Sequence, residues 1–313
     1  MMYALIKNEN MKIYKRLGTK IMFVILAAVI VFIGLVMRFA NEVTEPLDGA
    51  GEPGLQIEQS DPDQMANMPE SMQVQIHEQE MLGTYLIEEE VSQVNRDSML
   101  GFAMENPQLV SFVTMFTVIV GAGIVAGEHS KGTIKLLMIR PVKRWKILLS
   151  KWLSTVLFSI VMVLTLIVIS LLTGGFLYGF SIDGLRVVEV VDGAVRDMSV
   201  WGYMAVTYSL AWVELIIMTT FAFMLGAVFR NQSLSIGLSL VMLFTGGQVV
   251  FLLSSYDWAK YLLFAHTNLL QHFNGQPMIE HTTAAFSVGI VVFYFTVFKA
   301  IAYLSFSKRD IAD

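Results

Sequence analysis

Residues 127–151 read GEHSKGTIKLLMIRPVKRWKILLSK, a short basic segment between two long apolar runs at residues 107–126 and 152–176. Each run reaches the roughly 20 apolar residues with which a helix crosses a bilayer. The segment therefore reads as a loop joining two membrane crossings. The fold depends on how many other crossings there are. The function depends on which side this loop faces and what it touches there.

Composition agrees with a membrane class. The chain has 313 residues, 55% of them hydrophobic and 15% charged, with a mean hydropathy of +0.61; a soluble domain carries about 25% charged residues. The absence of cysteine excludes disulfides, thiolate metal sites and cysteine nucleophiles. The first apolar run has a basic flank. No small-x-small cleavage site follows it and further spans come later, so it reads as an anchor and not as a cleaved signal.

Outward from the loop, the apolar runs give six spans, at residues 21–40, 107–126, 152–176, 204–229, 234–254 and 283–306. Residues 1–20 are basic and amphipathic, with Tyr3, Leu5, Ile6, Ile13 and Tyr14 among Lys7, Lys12, Lys15, Arg16 and Lys20. They predict a helix lying in the membrane interface, in contact with lipid; the plainer alternative is a positive flank that only orients the first span. Residues 41–106 hold a dense set of acids, including Glu88, Glu89 and Glu90, with Arg96 as their only base. The Pro/Gly-rich first half predicts loop, and residues 69–104 predict a helical hairpin or one long helix. The acids lack metal-ligand spacing and read as a solvated face. Residues 177–203 read as a loop, residues 230–233 as a turn, and residues 255–282 as short interfacial or re-entrant helices. The fold class expected is an all-α polytopic membrane protein with six transmembrane helices, an N-terminal interfacial helix and a partly helical acidic region between spans 1 and 2.

Charge orients it. Of the 21 lysines and arginines, all but Arg38, Arg96, Arg186, Arg196 and Lys260 fall on or near one side. By the positive-inside rule that side is cytoplasmic. An even number of spans puts both the N-terminus and the tail at residues 307–313 there, and the acidic region outside, in a multi-pass protein of the cell membrane.

No enzyme constellation is present. His77, His129, His266, His272 and His281 never pair at a metal-ligand spacing, no GxSxG occurs, and no nucleic-acid motif is seen. Gly127 and Gly132 match the opening of a phosphate-binding loop, but Thr133 and Ile134 stand where Lys and Ser/Thr are required. The chain is therefore expected to hydrolyse no ATP and to bind no metal or cofactor itself. The loop instead has the pattern of a transmitter. Residues 131–139 predict a short helix with Ile134, Leu137 and Met138 on one apolar face, stopped by Pro141. Glu128 stands at its start, where a carboxylate favours a helix N-terminus. From these residues alone, a helix docked on a soluble partner and a loop resting on anionic lipid are equally open.

The run Glu128-x-x-x-Gly132-Thr133-Ile134-Lys135-x-Leu137, then Arg140-Pro141-Val142-x-Arg144, resembles the first cytoplasmic loop of type-2 ABC exporter permeases, the bacterial multidrug- and antibiotic-export kind. Lys7-Asn8-Glu9 followed by Lys12-Ile13 resembles that family's interfacial helix, and Phe306-Ser307-Lys308-Arg309-Asp310-Ile311 its C-terminal signature. The resemblance covers essentially the whole chain, although the outer acidic region exceeds that of the simplest members. It implies a permease subunit that pairs as a homo- or heterodimer, forms the substrate pathway with its partner, and is driven by a separate ATP-binding subunit that holds ATP and Mg²⁺. It also implies that Glu128, Gly132, Thr133, Ile134, Leu137, Met138, Arg140 and Pro141 couple to that subunit, with Lys7, Asn8 and Glu9 on the interfacial helix. The alternative is a membrane assembly or sensor protein that binds a partner through its acidic outer region.

Glu214 lies in the middle of an apolar run, where an ionised carboxylate costs at least about 2.5 kcal/mol. It reads either as a group lining a pathway, binding a cation or carrying a proton, or as a protonated packing residue. The glycine pairs Gly121/Gly123, Gly174/Gly175 and Gly246/Gly247 read as sites of close helix packing.

Overall fold

A computed structural model describes residues 2–44, 69–130, 132, 142–182, 184–191, 193–279 and 282–308. Within them the chain is helical apart from one hairpin. In order it forms α1 (Met2–Tyr14), α2 (Leu17–Thr44), α3 (Glu70–Glu88), α4 (Met99–Glu105), α5 (Val110–Ser130), α6 (Arg144–Tyr178), β1 (Arg186–Val191), β2 (Ala194–Ser199), α7 (Val200–Phe229), α8 (Gln232–Leu253), α9 (Leu270–Phe273) and α10 (Ala284–Lys308). Short 3₁₀ turns lie at Asn106–Leu109, Asp257–Tyr261 and Leu263–Ala265.

Six helical stretches are long and apolar enough to cross a membrane: Leu17–Ala40, Met99–Ser130, Arg144–Tyr178, Val200–Phe229, Gln232–Leu253 and Ala284–Ser307. The second begins earlier than hydropathy at residues 107–126 predicts, because α4 buries Leu100, Phe102 and Ala103 and runs through the Asn106 turn into α5. The third takes in Arg144, Trp145 and Lys146, so part of the basic stretch opens a helix instead of preceding it. At 35 residues and ~1.5 Å per residue it is about 52 Å long, well beyond the hydrocarbon core.

The described residues divide into two compact units, one of Met1–Ala28, Pro107–Ile167 and Thr207–Asp313, the other of Val29–Asn106 and Val168–Val206. In the first, α5 is central. A Cβ built on Gly226 of α7 would lie 2.4 Å from the Ala122 carbonyl oxygen of α5, and one on Gly121 3.1 Å from Thr219. Thr219 Oγ1 donates to Thr117 Oγ1 at 3.1 Å beside them. This is close packing through small residues, with a hydroxyl pair added. α8 packs along α5, joined to α7 by Arg230 and Asn231 alone. Arg230 takes a positive φ of 55°, and the Asn231 side chain caps α8 by accepting from Leu234 N at 3.1 Å.

In the second unit the described part of the acidic region carries α3 and α4, and a hairpin replaces the loop expected at residues 177–203. Val187, Val188, Val190 and Val191 are β-branched, and the strands pair up to Val191 opposite Ala194, with Gly193 at φ 73° in the tight connection. Register pairs Glu189 with Arg196, which form an ion pair of 2.7 Å. Arg186 grips Asp197 through two hydrogen bonds, and Tyr85 of α3 donates to the same carboxylate at 3.2 Å. Gln93 reaches Val188 O at 2.8 Å, so the segment after α3 runs beside β1. Residues 45–68, the first half of the acidic region, lie outside the described residues.

Candidate functional site

α1 carries one acid, Glu9, in an otherwise basic segment, and α5 ends on another, Glu128. The fold brings both to Lys151 in the second turn of α6. Lys151 Nζ lies 2.9 Å from Glu9 Oε2 and 2.8 Å from Glu128 Oε1. Lys12 Nζ lies 2.9 Å from Glu9 Oε1 and 3.1 Å from Glu128 Oε1. Two carboxylates and two ammonium groups thus alternate in a closed set. Lys151 is 1% exposed in its side chain, Glu9 7% and Glu128 12%. Such charges persist in a low-dielectric place only when paired and hydrogen-bonded. Lys151 also donates to Ile124 O at 3.3 Å, setting a cation against the C-terminal carbonyls of α5. Ser154 Oγ donates to Ile6 O, a further tie between α6 and α1.

Burial pushes the Glu9 carboxyl up, but the Lys151 and Lys12 ammonium groups outweigh it and hold Glu9 below the usual carboxylate range. The sign follows directly. Its contribution to stability is complete above the unfolded value and is lost as pH falls through the lowered one. Burial pushes Lys12 down, and Glu9 with Glu128 more than restores it, leaving it raised. Its contribution is lost only as pH rises past the ordinary lysine range.

Glu128 therefore does not stand at the start of a new helix as expected. α5 continues through it, and its carboxylate is drawn back into the cluster by Lys12 and Lys151. Gly132, at φ 69° with its N–H on His129 O at 3.1 Å, closes the end of α5. Lys7 is exposed and Asn8 half-buried on α1. Thr133, Ile134, Leu137, Met138, Arg140 and Pro141 lie outside the described residues. In the sequence Lys151 reads only as the last base of the loop at residues 127–151, with no partner assigned. The signal available was that two lone acids in basic segments each need a cation.

The same end of this unit gathers other helix termini. Arg144 Nη1 at the start of α6 donates to Ser307 O near the end of α10 at 3.0 Å. Ser130 of α5 accepts from Gln232 N at 3.3 Å at the start of α8. Lys299 of α10 lies 3.4 Å over the Trp152 ring.

Glu214, on α7, lines a cavity of about 330 Å³ with Met218, Leu243, Phe264, Asn268 and Gln276 among others. No hydrogen bond or ion pair joins its carboxylate to a described residue. The cavity wall from residues 264–278 is held rigidly. Gln271 donates to Ala265 O and accepts from Met278 N, both at 2.8 Å. His266 Nε2 lies 2.7 Å from Lys260 O, which fixes the proton on that nitrogen. Its Nδ1 then accepts from the Ser287 hydroxyl at 2.7 Å, and Ser287 accepts from His272 Nε2 at 2.6 Å. The histidines are thus brought together through a serine of α10, a pairing that their sequence spacing hides. Burial, and then His266, push His272 below the usual imidazole range, which favours the neutral ring, with Nε2–H as the donor to Ser287.

Among known proteins, a family model described as protein of unknown function (DUF2705) matches residues 68–312. The chain is 35% identical to the uncharacterized protein YhcI of Bacillus subtilis (strain 168) over the full length of both. It is 29% identical to the uncharacterized membrane protein YdbK of the same organism, over 69% of this chain and 84% of that one. With six apolar helices and a relative named as a membrane protein, the chain is a multi-pass membrane protein.

Proposed function

The chain belongs to the DUF2705 family, and we propose that it is the membrane-spanning permease subunit of an ABC exporter. It pairs with a second permease, identical or related, to form a substrate pathway, and a separate ATP-binding subunit supplies the ATP, the Mg²⁺ and the work. The N-terminus, the loop at residues 127–151 and the C-terminal tail face the cytoplasm of a cell membrane, and α1 lies in its inner interface.

The observation that carries this reading is the buried cluster of Glu9, Lys12, Glu128 and Lys151. Both helices that emerge from the loop, α5 and α6, are pinned at their loop-facing ends to one another and to α1. A push on the loop by a soluble subunit then cannot be absorbed locally. It moves α1, α5 and α6 together, because separating them strands charges with no water to receive them. Supporting it are the resemblance of the loop, the start and the end of the chain to type-2 exporter permeases, and the sorting of the bases to one side.

The test is capture of the partner. Tagged chain purified in mild detergent is expected to bring down an ATP-binding subunit, and Leu137→Asp is expected to release it while leaving the chain folded. If no ATP-binding subunit accompanies the chain, and Leu137→Asp leaves its cellular function intact, the exporter reading is lost. Capture of a different protein through residues 41–106 would instead favour an assembly or sensor role.

A further inference from the structure

The Glu214 cavity has an unusual chemistry for its depth. Its walls are apolar at Met218, Leu243 and Phe264, yet one end carries a carboxylate that no described residue neutralises. Asn268 and Gln276 also line the cavity. The Gln276 backbone N–H donates to Gln271 O at 2.8 Å, but its side-chain amide makes no hydrogen bond with a described residue, while the Gln271 side chain is engaged in shaping the wall. Gly247 leaves part of the cavity open, since a Cβ built there meets nothing within 4 Å.

We infer that this cavity is a binding site for an organic ammonium ion with an apolar body, the charge seated on Glu214 and the body against Met218, Leu243 and Phe264. Three observations select that class. A volume of about 330 Å³ is far beyond one water or one bare ion, each of which needs about 30 Å³ or less. An inorganic divalent cation takes six or more oxygens, and among the described residues no group of three acidic, His or Cys side chains could hold one. An anionic or neutral ligand would leave Glu214 without a counter-charge in an apolar wall. A cavity of this size lies within the range of small-molecule sites, and its mixture of apolar walls with Glu214, Thr267, Asn268, Gln271 and Gln276 suits a ligand that has both an apolar and a polar part. Occupancy belongs to this chain alone; the exporter reading adds only that the occupant is cargo.

The experiment uses purified full-length chain in neutral detergent at pH 7, with no ATP-binding subunit present. Equilibrium dialysis compares phenyltrimethylammonium, whose charge is independent of pH, with benzenesulfonate, which carries the opposite sign on the same ring. The expected result is saturable binding of the cation at one site per chain and none of the sulfonate. Glu214→Gln weakens it by about thirtyfold or more, as loss of one partner from a buried charge pair does. Gly247→Leu fills the cavity without touching the carboxylate and also abolishes binding, with gel filtration confirming that each variant is folded. The proposal is overturned if the sulfonate binds as well as the cation, if Glu214→Gln binds like the native chain, if Gly247→Leu has no effect, or if sodium or magnesium displaces the ammonium. Failure of any of these leaves the capture of an ATP-binding subunit untouched, and failure of that capture leaves the binding result untouched.

Discussion

Lys151 sits where α6 leaves the basic loop, with an almost fully buried ammonium group shared by two carboxylates. Replacing it by Met keeps the length and packing of the stem but removes the buried cation between Glu9 and Glu128, while half-exposed Lys12 still touches both. Breaking a buried pair in this way costs about 3–5 kcal/mol. Lys151→Met is therefore expected to lower the thermal midpoint of the detergent-solubilised chain by many degrees, whereas Lys15→Met, exposed just past the end of α1, leaves it unchanged. Equal midpoints would mean that the cluster contributes nothing to holding α1. The cluster was half legible in the sequence. Glu9 and Glu128 stand out as acids in basic surroundings, but the partnership spans 142 residues and no local pattern encodes it. The same is true of His266 and His272, whose link is a serine on a different helix.

Among the elements, the crossing of α5 and α7 depends on the missing side chain of Gly226. Alanine there would gain about 1 kcal/mol in helix propensity, but its Cβ would fall 2.4 Å from the Ala122 carbonyl oxygen, and backbone cannot yield as a flexible side chain can. Overpacking of this kind costs about 1–3 kcal/mol, so the clash wins. Gly226→Ala is expected to destabilise the chain, while Gly237→Ala on α8, where an added Cβ meets nothing within 4 Å, is neutral or stabilising. Unfolding midpoints of the two variants side by side decide it. The glycine runs were legible as packing sites, but Gly226 was not among those singled out, because its partner is a carbonyl and leaves no trace in a sequence. The hairpin is the opposite case. Valines at 187, 188, 190 and 191 before Asp192-Gly193, and Val195 after it, carry the signal for a tight β turn, obscured by the apolar spans on both sides.

For the whole molecule, the six crossings were legible because hydrocarbon imposes length and composition on every span. Their ends were less so, since α4 is set off from its run by the polar Glu105-Asn106-Pro107 and the start of α6 is basic, yet both are helical. The distribution of bases predicts the sidedness. A reporter fused after Lys146 is expected to be active only in the cytoplasm, and one after Asp63 only outside. The reverse pattern, or the same side for both, would undo the orientation.

The pairing of Glu9 with Lys151 also bears on how the chain is made. Glu9 leaves the ribosome long before its principal counter-charge exists. Until α6 has been inserted, its carboxylate has only the flexible Lys12 to answer it and must stay among water and headgroups. α1 can therefore take its final place only after the third crossing is laid down. α1 is synthesised before all six apolar helices yet is seated only after the third of them, and a chain cut short before Lys151 would leave it unanchored.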